Sequence, residues 1–256
     1  MEKRPMRMFR KMLTVGTAIL ATALMAPPVC ADPARNVVLV HGALADGSGW
    51  KGVYDRLVAK GYRVSIVQQP QTSLEEDVQA TRRVIAMQDG PVVLVGHSYG
   101  GQIITEAGTE PNVTALVYVA AAVPEVGETL NDRFKRIPSP THDIKPTADE
   151  YLQLDPTKFH ADFAPDLPKD QADFMGRSQV LVAAKAFDMP ATAAAWKTKP
   201  SFGIVAGSDQ IASPDLERFM YTRANAKITE VAGSSHAVYL SHPDKIAAVI
   251  EEAASH

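Results

Sequence analysis

The sequence predicts an α/β fold, a mostly parallel, doubly wound sheet of about six strands with a helical cap insertion. Three observations carry that expectation. From residue 36 onward, short apolar runs alternate with helix-like segments, the pattern of a sheet covered by helices on both faces. The alternation breaks once, from about 123 to 199, where strand-like runs disappear and eight prolines enter. Finally, 256 residues suffice for one sizeable domain and not clearly for two.

The elements follow in order. Asn36–His41 and Tyr62–Val67 read as the first two strands, buried-type apolar runs bounded by polar or glycine residues. A helix is expected from Leu74 to about Met87, with Ser73 and Glu76 spaced as a capping box and Leu74, Val78, Thr81 and Ile85 on one face. Pro91–Gly96 and Val113–Ala120 are the next strands, with an amphipathic helix beginning near Gly101 between them. The proline-broken stretch 123–199 reads as a mostly helical cap, with one amphipathic piece over Lys169–Lys185. Ser201–Ala206 and Lys227–Val231 complete the sheet. A helix starts at Ser213-Pro214, a cap residue followed by proline at the first helical position. The last helix runs from Pro243 to about Ala253, with Ser241 and Asp244 at capping positions.

The N-terminus has a different character. Lys3, Arg4, Arg7, Arg10 and Lys11 precede a 15-residue apolar run from Met12 to Ala26, and Val29 and Ala31 then sit at small-residue cleavage positions. Residues 1–31 are expected to be a signal peptide, cleaved after Ala31, because the run falls short of the ~20 residues a spanning helix needs. The domain is then 32–256, exported to the periplasm or secreted. Cleavage removes Cys30, the only cysteine, and leaves 21 basic against 28 acidic residues, a net charge of −7. Disulfide scaffolds and cysteine-ligated metals are thereby excluded, and nucleic acid is a poor partner for so acidic a domain. No stable membrane association is expected after cleavage.

The chemistry concentrates in Gly96-His97-Ser98-Tyr99-Gly100. This is G-x-S-x-G between an apolar strand and a helix, the context that makes it a nucleophile elbow. Serine is a weak nucleophile and needs a base, which needs an orienting carboxylate. Two later strands end in suitable residues: Gly203–Ser208 runs into Asp209, and Ile228–Ser235 into His236. The order Ser98, Asp209, His236 places all three at the carboxyl edge of a parallel sheet, where ligands bind in such folds. Asp215 reads as a first-turn helix acid, whereas Glu125, just past the fourth strand, is a serious rival for the acid. His142, His160, His242 and His256 read as surface or structural, and His97 is expected to point away from Ser98. His41-Gly42-Ala43 closes the first strand, so the N–H groups of Ala43 and Tyr99 are the expected oxyanion donors. Trp50 is expected to pack against the first helix.

Val37–Trp50, the elbow, Asp209 and His236 together resemble the α/β-hydrolase superfamily. Within it the chain is similar to the compact, cap-bearing branch of plant methylesterases and hydroxynitrile lyases. The resemblance implies the α/β-hydrolase fold without its usual leading antiparallel hairpin. It also implies hydrolysis of a small carboxylic ester through an acyl-enzyme, with no metal or organic cofactor. Plant lyases carry lysine after the triad histidine and threonine after the first-strand histidine. Here these positions are Ala237 and Gly42, which favours hydrolysis. Lactonase, amidase or thioesterase chemistry, a cofactor-free lyase and a non-catalytic small-ligand receptor are the alternatives on the same fold. The cap residues Phe134, Tyr151, Leu152, Phe159, Phe163, Phe174 and Met175 could form either a pocket wall or the cap's own core. Oligomeric state is not encoded legibly.

Overall fold

A strand buried on both faces needs apolar side chains on both of its sides, and the central strands of this chain supply them. In the computed structural model, which describes residues 34–256 together with Met1 and Glu2, they build a six-stranded parallel sheet. The expected signal peptide 1–31 and its cleavage site lie outside the described residues.

In chain order, the first half contains β1 (Asn36–Val40), α1 (Lys51–Ala59), β2 (Arg63–Val67), α2 (Leu74–Ala86), β3 (Val92–His97), α3 (Gly100–Ala107) and β4 (Val113–Val119). The insertion follows as α4 (Leu130–Arg136), β5 (Ile144–Pro146), β6 (Tyr151–Leu154), α5 (Phe159–Asp162), α6 (Lys169–Arg177), β7 (Val182–Ala183) and α7 (Lys185–Asp188). The chain then returns to the sheet with β8 (Ser201–Ala206), α8 (Pro214–Arg223), β9 (Lys227–Val231), α9 (Val238–Ser241) and α10 (Pro243–Ala254). The sheet order is β2-β1-β3-β4-β8-β9, every neighbour pair parallel. Strand order reverses between β1 and β3, so the loops leaving these two strands flank the crevice of a doubly wound sheet.

The period-2 alternation sorts the core into two layers. Val38, Val40, Val92, Leu94, Leu116 and Tyr118 face α2, α3 and α8. Val37, Leu39, Val93, Val95, Val117 and Val119 face α1 and α10. All twelve are fully buried, which explains why these strands read as continuous apolar runs. In α2 the expected stripe Leu74, Val78, Thr81 and Ile85 is buried.

Several local expectations are corrected. Ser73 caps α2 by accepting the N–H of Glu76, but the Glu76 carboxylate turns to the hydroxyls of Thr72 and Ser73 instead of closing the box. The N-cap of α10 is His242, with no side-chain cap, because the Ser241 hydroxyl is engaged by His242 Nδ1. The amphipathic piece expected over Lys169–Lys185 stops at Arg177, and its remainder becomes β7. The cap is therefore not simply helical: β5, β6 and β7 form a small antiparallel sheet. Strands of three, four and two residues are too short to leave a readable period.

Candidate active site

Ser98 sits where β3 turns into α3, with φ +53°, a left-handed conformation that non-glycine residues seldom hold. The surrounding backbone imposes it. Ser98 N–H donates to Val119, and its carbonyl accepts from both Gly101 and Ala122. The turn is tight enough that a Cβ on Gly96 would lie 2.5 Å from the carbonyl oxygen of Gly100. Glycine at 96 is thus a steric requirement of the elbow.

Asp209 and His236 meet although 27 residues separate them, because β8 and β9 are neighbours and both residues leave at the same edge. His236 Nδ1 lies 2.5 Å from Asp209 Oδ2, and both side chains are buried. A carboxylate only accepts, so Nδ1 carries the proton and Nε2 of the neutral ring is left as a base. Nε2 is buried and has no hydrogen-bond partner among the described residues. The other oxygen of Asp209 accepts the N–H groups of Ile211 and Ala212, which fixes the carboxylate plane. Glu125, the rival acid, pairs instead with Lys197 at 2.6 Å, and that hydrogen bond holds its carboxyl below the usual range. Asp215 lies in the first turn of α8 and binds Arg218.

Behind Asp209 lies a buried group absent from the sequence reading. Glu217 on α8 is fully buried, and its Oε2 accepts the N–H of Ala206. Burial, reinforced by the neighbouring Asp209 carboxylate, pushes the Glu217 carboxyl well above its ordinary range. The Arg133 guanidinium from the cap supplies the nearby positive charge, and burial draws it down to about 10. A signal for Glu217 existed: it stands between the buried residues Leu216, Met220 and Tyr221 of one helix face.

His97 points away from the serine. Its Nε2 donates to the His236 carbonyl at 2.9 Å, and burial keeps the ring neutral, with its pKa well below the ordinary value. It belongs to a column of rings. Trp50 packs at a tilt against Tyr239 with ring centres 4.7 Å apart, Tyr239 against His97 at 4.4 Å and His97 against His236 at 4.7 Å, and His236 meets Phe163 edge-on at 4.9 Å. Trp50 shares a buried cluster with Val53 and Leu57 of α1, as expected, and its ring also joins this column. His41 donates from Nδ1 to the Gly42 carbonyl, and burial lowers its pKa to about 4. His160 contacts the Leu167 carbonyl.

Ala43 follows β1, and Tyr99 follows Ser98 at the start of α3. The two loops approach closely: a Cβ on Gly42 would lie 2.8 Å from the Cβ of Ser98. The cap reaches the His236 loop through Asp166, whose carboxylate accepts the Ser235 N–H at 3.0 Å and its hydroxyl at 2.5 Å. Phe163 adds its carbonyl, which accepts the Ala237 N–H. A cavity of about 150 Å³ opens between the β1 loop, α6 and α9, lined by Leu44, Ala45, Gly49, Phe174, Met175 and Tyr239. Of the cap residues considered above, Phe174 and Met175 line this cavity, whereas Phe159 and Phe163 are buried in the core.

The model of the alpha/beta hydrolase family matches residues 37–249. An alpha/beta hydrolase of Aspergillus novofumigatus, nvfD, is 27% identical over 245 residues, covering 85% of this chain and 96% of that protein. A carbendazim-hydrolysing esterase of Nocardioides is 35% identical over 109 residues, covering 37% of this chain and 45% of the esterase. A methylesterase of Arabidopsis has a similar structure, with a TM-score of 0.72 at 18% identity over 86% of this chain and 98% of the other.

Proposed function

Because the chain belongs to the alpha/beta hydrolase family, we propose that it hydrolyses small carboxylic esters through an acyl-enzyme on Ser98. The reading rests on one observation above all: a buried histidine with Nδ1 bound by a carboxylate and Nε2 left free, at the sheet edge that also carries the strained serine. The esterase and methylesterase among the similar proteins support the choice of bond.

In this mechanism His236 Nε2 takes the Ser98 proton as Oγ attacks the ester carbonyl carbon. The negative charge moves to the carbonyl oxygen, where the Ala43 and Tyr99 N–H groups receive it. Collapse of the tetrahedral adduct breaks the bond to the alcohol, which leaves with the proton from His236. Water then gives a proton to His236 and attacks the acyl carbon, and as this second adduct collapses His236 returns the proton to Ser98 Oγ, releasing the acid and the free serine. Asp209 holds the ring and offsets its charge while it is protonated. Gly42 and Ala237, where plant lyases carry threonine and lysine, support hydrolysis over lyase chemistry.

Labelling with a fluorophosphonate probe tests the reading. Wild-type protein should be labelled and should turn over p-nitrophenyl acetate, and Ser98→Ala should abolish both. Retained labelling in that variant overturns it. The basic N-terminal stretch and apolar run support export, and intact-mass analysis of the exported protein should find it beginning at Asp32.

A further inference from the structure

The two proposed oxyanion donors stand on different loops, one after β1 and one after β3, yet one buried hydrogen-bond chain ties both to α2. Tyr99 is fully buried, and its hydroxyl donates to Asp77 Oδ2 at 2.7 Å. Asp77 Oδ1 accepts the backbone N–H of Gln71, also at 2.7 Å. The Gln71 side-chain amide then donates to the carbonyls of Ala45 at 3.1 Å and Gly42 at 3.4 Å, on either side of Ala43. The Gln71 carbonyl accepts the N–H of Ala183 on β7, in the cap. Gln69, two residues earlier, donates to the His41 carbonyl at 2.6 Å.

This arrangement is costly as simple packing. Asp77 and Gln71 are fully buried polar side chains, and Gln71 holds φ +58°. Burial pushes the Asp77 carboxyl up to about 6. Apolar residues on the same helix face would fill the space without desolvating a carboxyl group. What the polar chain adds is direction. One end holds the Tyr99 side chain and the other the two carbonyls that flank Ala43, and such donors must sit about 2.7–3.1 Å from the oxyanion to be effective.

We propose that Gln71 and Asp77 are positioning residues that set the separation of the Ala43 and Tyr99 N–H groups through the Tyr99 hydroxyl and the Gly42 and Ala45 carbonyls. The inference rests on the acyl-enzyme reading above. The brace acts on the tetrahedral state, where charge reaches the carbonyl oxygen, and hardly on ester binding. Its loss should therefore appear in kcat.

The test compares Tyr99→Phe and Gln71→Glu with wild type. Tyr99→Phe removes one oxygen and keeps the ring and the amide. Gln71→Glu replaces the donor amide with an acceptor of equal size. Three quantities are measured: kcat and KM for p-nitrophenyl acetate, affinity for phenylboronic acid, and the melting midpoint. The tetrahedral adduct of phenylboronic acid on a serine places an oxygen at the oxyanion position. Each folded variant should lose about 10–100-fold in kcat and in boronic acid affinity. KM should stay within about twofold, as expected for an interaction made mainly in the transition state. If Gln71→Glu fails to fold, Tyr99→Phe alone decides. A folded Tyr99→Phe with wild-type kcat and boronic acid affinity overturns the brace, as does a loss that only tracks the unfolded fraction. These outcomes leave the hydrolysis reading standing when wild type is labelled at Ser98. A wild type without Ser98-dependent labelling overturns that reading and the brace together.

Discussion

At the scale of single residues, the candidate site depends on groups held in uncomfortable states by close neighbours. Ser98 holds a positive φ, and Gly42 leaves no room for a side chain beside it. Gly42→Ala should cost about 1–3 kcal/mol by overpacking, read in denaturant melts, and should lower kcat because the displaced neighbours are Ser98 and His97. Asp209 fixes the tautomer that leaves Nε2 basic. Asp209→Asn should therefore lower kcat by about 10³–10⁴, the scale of a wrong-tautomer triad, in steady-state ester hydrolysis. Glu125→Gln should leave kcat near the wild-type value, since Glu125 is bound to Lys197. The two variants together decide which acid serves His236. The order Ser98, Asp209, His236 was readable because each residue lies in the loop that follows a parallel strand. Glu217 left a faint trace among the buried residues of its helix face, whereas Gln71 left none, since its side chain bonds backbone carbonyls of a distant loop. Asp77 left a trace, an acid inside the apolar stripe Leu74, Val78, Thr81 and Ile85.

At the scale of elements, the insertion does more than cover the sheet. Its segment from Phe159 to Asp166 grips the loop between β9 and α9 by a carboxylate, a carbonyl and a ring edge, all within two residues of His236. Burial works to raise the Asp166 carboxyl, but hydrogen bonds from the Ser235 hydroxyl and amide and from Ser241 outweigh it and hold the pKa below the ordinary value. For a depressed carboxylate, the stabilisation is present above the unfolded pKa and is lost as pH falls through the folded one. Acid should therefore loosen this grip below the ordinary carboxylate range. Asp166→Asn should lower kcat/KM by about tenfold at neutral pH and speed hydrogen exchange at residues 234–238, with the sheet strands unchanged. Exchange mass spectrometry reads the difference directly. The insertion's position was readable from its prolines and lost rhythm. Its antiparallel sheet and Asp166 were hidden, because very short strands and a single loop acid carry no periodic signal.

At the scale of the whole molecule, the sheet order places the reactive loops at one edge and puts much of the buried charge near them. Asp77 contributes a pH dependence to global stability. Its folded pKa, about 6, lies above the ordinary 3.8, so between these values the folded chain binds more protons than the unfolded one. Stability from this group is fully present below the lower value and is lost as pH rises to about 6. Asp77→Asn should flatten that part of the stability curve, measured as the difference from wild type in urea melts at several pH values. A mostly parallel sheet of about six strands was expected, and the main sheet among the described residues has six, all parallel, because each central strand is apolar on both sides and each outer one is bounded by turn residues. Strand ends moved by a residue, as at Ala120, whose φ of +45° stops β4. One joint lies away from this chemistry. The Ala34 N–H donates to the Ala254 carbonyl at 3.0 Å, so the segment entering β1 meets the end of α10. Within residues 34–256 the two ends of the fold are therefore held side by side. A circular permutant joined across this seam and reopened in the exposed turn at 148–149 should fold to the same sheet and keep Ser98 reactive, as circular dichroism and probe labelling would report.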